Sequence, residues 1–210
     1  MVEGINRTRN MYTSRGFVIT NIHADPEFHC TRTAMLPSIL NLAAAREHVG
    51  EVERAIRTGK KVTRCIAHTM PFKRVPIIMV AGMVTASYSR INDLPAPSGV
   101  SDTISPSTIV ASRPSPDYNV MTSIDFGTYV QVDDEPGPTN TSTTRTTGAI
   151  SLNSVGNEQG AYNFMSLMTG ERLNRRSWTI LPMGRDVIAR VEEIALQQGQ
   201  PLLKRGGPLF

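Results

Sequence analysis

The sequence predicts an α/β region followed by a small β-barrel and a closing helix, on three observations. The first half joins an apolar, β-branched run at residues 17–22 to two helical patterns, at 47–65 and 75–91. Residues 119–183 hold several short strand candidates divided by tight turns, the pattern of a small barrel. Residues 185–198 then have the spacing of an amphipathic helix. At 210 residues, 40% hydrophobic and 19% charged, the chain has enough apolar material for one medium domain or two small ones.

Taken in order, residues 1–15 are polar and Arg-containing and read as a frayed lead-in. Residues 17–22 read as a buried strand, stopped by Asp25-Pro26. Residues 38–44 form a second short strand or a buried turn, because Pro37 opposes an unbroken helix there. The helix at 47–65 sets Val49, Val52, Ile56 and Val62 toward one apolar face, although Gly59 interrupts it at a cost of about 1 kcal/mol relative to Ala. The Met-rich helix at 75–91 reads as core packing over the strands. A linker at 94–99 leads to a short helix at 105–110, with Ser before Pro at its start. Residues 124–132 alternate as a half-exposed strand does, and 133–147, acidic and then rich in Pro, Gly and Thr, read as a mobile loop. Further strands are expected at 149–152, 161–167 and 172–181, and the tail 204–210 carries no structural signal.

Charge is more informative locally than globally. Lys plus Arg is 22 against 18 for Asp plus Glu, a net +4. From Arg46 to Arg74, eight basic residues stand against three acidic ones, a local excess of five. Arg54, Arg57, Lys61 and Arg64 recur at steps of three and four, so a helix carries them as one stripe, with Lys73 and Arg74 beyond its end. Such a field draws polyanions, while a solvated helix face is the plainer reading. Two cysteines cannot make a disulfide framework, which points to a reducing compartment, nuclear or cytoplasmic, with partly buried thiols. Cys65-Ile-Ala-His68 has metal-like spacing, with His23, His29 and Cys30 as conceivable partners, but no second spaced pair completes a set of four ligands. The glycosylation-like triplets at Asn6 and Asn140 read as chance without a secretory signal, and no apolar run is long enough to span a bilayer. A soluble, non-secreted protein is expected.

Two acids stand apart: Asp25, at a strand end, and Glu53, on a helix with a basic flank. Paired carboxylates in these positions suit a divalent metal and phosphodiester chemistry. The motifs around them, His48-Val-Gly-Glu-Val-Glu-Arg54, Met70-Pro-Phe-Lys-Arg74 and Gly99-Val-Ser-Asp-Thr-Ile-Ser-Pro106, resemble the later part of a copia-type retrotransposon integrase. Farther on, Phe126-Gly-Thr-Tyr-Val-Gln131, Asn157-Glu-Gln-Gly160, Leu167-Met-Thr-Gly170, Leu173-Asn-Arg175 and Trp178-Thr-Ile-Leu-Pro182 resemble the SH3-like domain that follows the core in these polyproteins. The resemblance covers roughly residues 16–198 and rests on the order of the motifs.

The resemblance implies a truncated ribonuclease-H-like core at 1–93, a linker with a short helix at 94–118, an SH3-like barrel at 119–183 and a helix with tail at 184–210. It implies Asp25 and Glu53 as catalytic ligands of Mg2+ or Mn2+, with Glu51 the nearest competitor for Glu53. The implied partner is DNA, as retroelement ends and target, with a homo-oligomer open and no membrane. The family's first carboxylate has no counterpart, since Glu3 is the sole acid before Asp25. The chain therefore reads as an excised piece of a polyprotein, inactive alone. The alternatives are a non-catalytic nucleic-acid-binding module and a degenerate fragment without selected function.

Overall fold

The computed structural model describes residues 2–43, 50–95, 99–111, 115, 117–133, 145–157 and 159–203. Expectations for Ala44, for the helix start at 47–49, for the loop at 134–144 and for the tail at 204–210 lie outside them. The chain divides into two compact units, one of residues 1–58 and 91–116, the other of 59–90 and 117–210.

The first unit opens with a helix where a frayed lead-in was expected. α1 spans Val2–Thr13 with Glu3 in its first turn, where a carboxylate favours the positive end of the helix dipole. None of its residues is buried; its anchor is polar. Arg9 donates through Nη1 to the Leu36 carbonyl at 3.1 Å and through Nη2 to the Met35 carbonyl and to Ser38 Oγ. Ser38 Oγ in turn donates to the Ile19 carbonyl at 2.6 Å. This long-range tie, rather than an apolar face, holds α1.

β1 is Asn21–Ala24, shifted from the expected 17–22, and it pairs in parallel with β2, Ile39–Leu42. Register decides the shift. Ile39 donates to Thr20, and pairing runs from Asn21 opposite Ile39 to Ala24 opposite Leu42, which leaves Phe17 and Val18 exposed. A 3-10 helix, Pro26–Met35, joins the strands and begins directly after Asp25, whose extended backbone suits a residue before proline. The Leu36–Pro37 peptide bond is cis.

α2, Gly50–Thr69, begins in the first unit and continues into the second, one turn beyond the expected end. Within the second unit its Gly59, Thr63, Ile66 and Ala67 are buried, as is Met70 just beyond its end. The expected apolar face is corrected at its start: Val52 and Ile56 are exposed, and the buried face begins at Gly59. Gly59 does not break the helix. A Cβ there would stand 2.5 Å from the Tyr88 ring, so glycine admits the close approach of α3, Ile77–Asp93. Thr63 Oγ1 donates to Ser87 Oγ at 2.9 Å, and Ser87 Oγ donates to the Met83 carbonyl at 2.7 Å, which satisfies two buried hydroxyls along that seam.

A short helix in the first unit, α4, spans Pro106–Ala111 as its Ser-Pro start suggests, and Arg15 donates to the Ala111 carbonyl at 3.1 Å. In the second unit α5, Tyr118–Met121, precedes five strands: β3 Tyr129–Asp133, β4 Thr146–Ser154, β5 Tyr162–Ser166, β6 Arg172–Arg175 and β7 Trp178–Ile180. They form one antiparallel sheet in the order β6-β5-β4-β3-β7. β3 starts later than the expected 124 because Gly127, at φ +85°, turns the chain there.

Trp178 lies 5.1 Å from the Tyr162 ring and 5.5 Å from Phe164, although β7 and β5 are three strands apart in the sheet. A flat sheet would separate them by about 14 Å, so the sheet curls on itself. Val130, Val132, Ala149 and Phe164 fill the concave side. Ile150, Leu152 and Met165 face a second cluster with Ile66, Met79, Met83 and Val191. Burial on both faces explains why Ala149 to Leu152 are all buried. α6, Arg185–Gln197, packs through Val187, Val191, Ile194 and Ala195, and Gln198 Oε1 accepts from the Ile77 amide at the start of α3.

Candidate nucleic-acid interface

The basic residues of α2 share a face because the helix is continuous through Gly59. Arg54, Arg57, Lys61 and Arg64 are all exposed, and Lys60 is exposed beside them. Their spacing sets them along one stripe, opposite the face that packs Thr63, Ile66 and Met70. His68 is also exposed and follows Arg64 by four residues, so it continues the stripe by one turn. The sequence reading considered His68 only as a metal ligand with Cys65; the same step of four that joined the arginines also points to it.

Beyond α2 the two further basic residues differ. Lys73 is exposed, and its backbone amide donates to Glu192 Oε1 at 2.7 Å. Arg74 is half-buried and donates through Nη1 to the Gln200 carbonyl at 2.9 Å, so its guanidinium is engaged within the second unit.

The two acids lie in the first unit. Asp25 follows β1 directly, its side chain exposed and making no cap bond to the 3-10 helix. Parallel pairing brings the carboxyl ends of β1 and β2 to one end of the pair, where Asp25 sits. Glu53 is exposed in the first turn of α2. Among the described residues no three His, Cys, Asp or Glu side chains come together as a metal-holding group. Among the described residues, Asp25 and Glu53 make two carboxylates, fewer than the three that a two-metal centre uses. Both thiols, Cys30 and Cys65, are exposed rather than partly buried.

The second unit also holds an open pocket of about 430 Å³ along α2, whose lining includes Cys65, Ile66, Met70, Arg90, Asp125 and Phe126. Nothing in the linear pattern joined these positions, because α2, α3 and the turn before β3 meet only through packing. No helix among the described residues is long and apolar enough to cross a membrane.

Comparison with protein-family models, with curated proteins and with solved structures finds no match to the chain.

Proposed function

We propose that the chain is an integrase-like, DNA-binding protein of copia-type retroelement descent, and that by itself it does not transfer DNA strands. The observation that carries the DNA-binding part is the exposure of Arg54, Arg57, Lys61 and Arg64 on α2, whose opposite side packs into the core from Gly59 onward. Cations carried on a formed helix meet a phosphate backbone without that helix having to fold first, and they read charge rather than sequence.

Descent is supported by the order of motifs and by two features of connectivity. A parallel strand pair carries Asp25 at its carboxyl end and is followed by the helix bearing Glu53, an order that supports the ribonuclease-H-like reading. The sheet order β7-β3-β4-β5-β6 is a meander whose last strand returns beside its first, an order that supports the SH3-like reading. The inactive assignment is supported by the carboxylates: among the described residues Asp25 and Glu53 make two of the three that such chemistry uses, and no step is assigned to a metal. A non-catalytic nucleic-acid-binding module, in the nucleus or cytoplasm, is the reading the exposed stripe favours next.

Incubating the full chain with Mg2+ or Mn2+ and labelled duplex ends tests the inactive assignment. Binding without joined products is expected. Strand transfer abolished by Glu53→Gln would overturn it.

A further inference from the structure

We propose that the pocket along α2 in the second unit holds one unstacked nucleotide of a single strand, its phosphate on Arg90 and its exocyclic amino group on Asp125. This rests on the nucleic-acid reading above and adds a site that reads base chemistry. The pocket is built rather than incidental. Its turn wall is clamped by buried Ser151, whose Oγ donates to the Asp125 carbonyl and accepts from the Thr128 amide at 3.0 Å. The Ser151 carbonyl accepts from the Gly127 amide, and the Ser151 amide donates to Thr128, both at 2.9 Å. Gly127 is required where it stands: at φ +85° a Cβ would lie 3.0 Å from the Met70 side chain.

At the open rim of this frame stand two exposed residues of opposite charge, Arg90 and Asp125. Among the described residues neither the Arg90 guanidinium nor the Asp125 carboxylate makes a hydrogen bond or ion pair, although both line the same cavity. Their places are set by packing. Tyr88 against Gly59 brings the Arg90 end of α3 to the Val62 end of the pocket. Gly127 against Met70 brings Asp125 to the other end. Val62 to Met70 is about 12 Å of helix, which a base, sugar and phosphate laid end to end would span.

Between the charges, Ile66, Met70 and Phe126 offer an apolar floor for the face of a base. A carboxylate accepts from an amino group of adenine, cytosine or guanine but finds no such donor on thymine. Lys61, Arg64 and His68 stand on the same helix, on the side away from Ile66 and Met70, and their field favours a polyanion over a zwitterionic peptide.

The test is fluorescence anisotropy with uniform single strands of dA, dC and dT and with a duplex, on the full chain and two variants. Asp125→Ala and Arg90→Gln alter side chains without internal bonds, so the fold is unaffected, which thermal unfolding checks. The wild type is expected to hold dA and dC about tenfold more tightly than dT, the worth of one charge-assisted hydrogen bond. Asp125→Ala is expected to remove that difference, and Arg90→Gln to weaken every single strand alike, with duplex affinity unchanged in both. Equal affinity for all three strands, a preference that survives Asp125→Ala, or equal competition by a zwitterionic dipeptide would overturn the pocket assignment while duplex binding stood. Loss of duplex binding in the wild type would instead overturn the reading on which the pocket rests.

Discussion

Replacing Gly59 by Ala should have opposite effects in two backgrounds. By propensity alone, Ala at an interior helix position gains about 1 kcal/mol over Gly. Against that, the new Cβ would meet the Tyr88 ring at 2.5 Å, and α2 cannot retreat while Thr63 is bonded to Ser87 and Ile66 and Met70 lie in the core. The ring must swing out. It is 38% exposed, so it gives up about two thirds of an aromatic side chain's burial, about 1–2 kcal/mol. Gly59→Ala should therefore be neutral or destabilising by up to about 1 kcal/mol in the natural sequence. In a Tyr88→Ala background the same change should stabilise by about 1 kcal/mol, because only propensity remains. Urea unfolding of the four proteins yields the coupling energy, expected at about 1–2 kcal/mol. A stabilisation of the same size in both backgrounds would refute the packing argument.

Three further outcomes are expected. Arg9→Ala should release the turn before β2, costing about 1–3 kcal/mol locally and raising hydrogen exchange at the Ile39 amide, which bonds Thr20. Trp178→Ala, which removes the ring linking β7 to Tyr162 and Phe164, should destabilise the second unit by about 3–5 kcal/mol in chemical denaturation. Because Cys30 and Cys65 are exposed, both thiols of the native protein should react with a thiol reagent without denaturant.

The legibility of the fold follows how local its causes are. The helices α2, α3, α4 and α6 and the strands β3, β4 and β5 were readable because periodicity, Ser-Pro and Gly-containing turns act within a few residues. The single strand expected at 172–181 is instead two, β6 and β7, at opposite edges of the sheet, a break that only the pairing partners reveal. α1 was missed because its anchor is Arg9 bonding to Met35, Leu36 and Ser38, some 26–29 residues away, and it has no apolar face to advertise it. The shift of β1 from 17–22 to Asn21–Ala24 was likewise invisible, since parallel register is fixed by the partner strand. Gly59 read as a flaw in a helix until Tyr88 occupied the space it leaves.

The candidate site divides in the same way. The cationic stripe was legible because the steps of three and four from Arg54 to Arg64 are a local property, and His68 extends them by the same rule. Arg74 looked equivalent in sequence, but its bond to Gln200 comes from chain packing 126 residues away. Arg90 and Asp125 belong to no motif, and only the meeting of α2, α3 and the turn clamped by Ser151 brings them to one cavity.

The most direct measurement is the salt dependence of duplex DNA affinity for the whole chain and for Lys61→Gln/Arg64→Gln. Four phosphate contacts by the stripe predict a slope of log affinity against log salt of about −3.6. That slope is a loss of roughly a hundredfold between 50 and 200 mM salt. The double variant should bind less tightly, with a slope shallower by about 1.8. Affinity that stays flat across that range, or a slope indifferent to the two substitutions, would contradict a phosphate-binding face on α2.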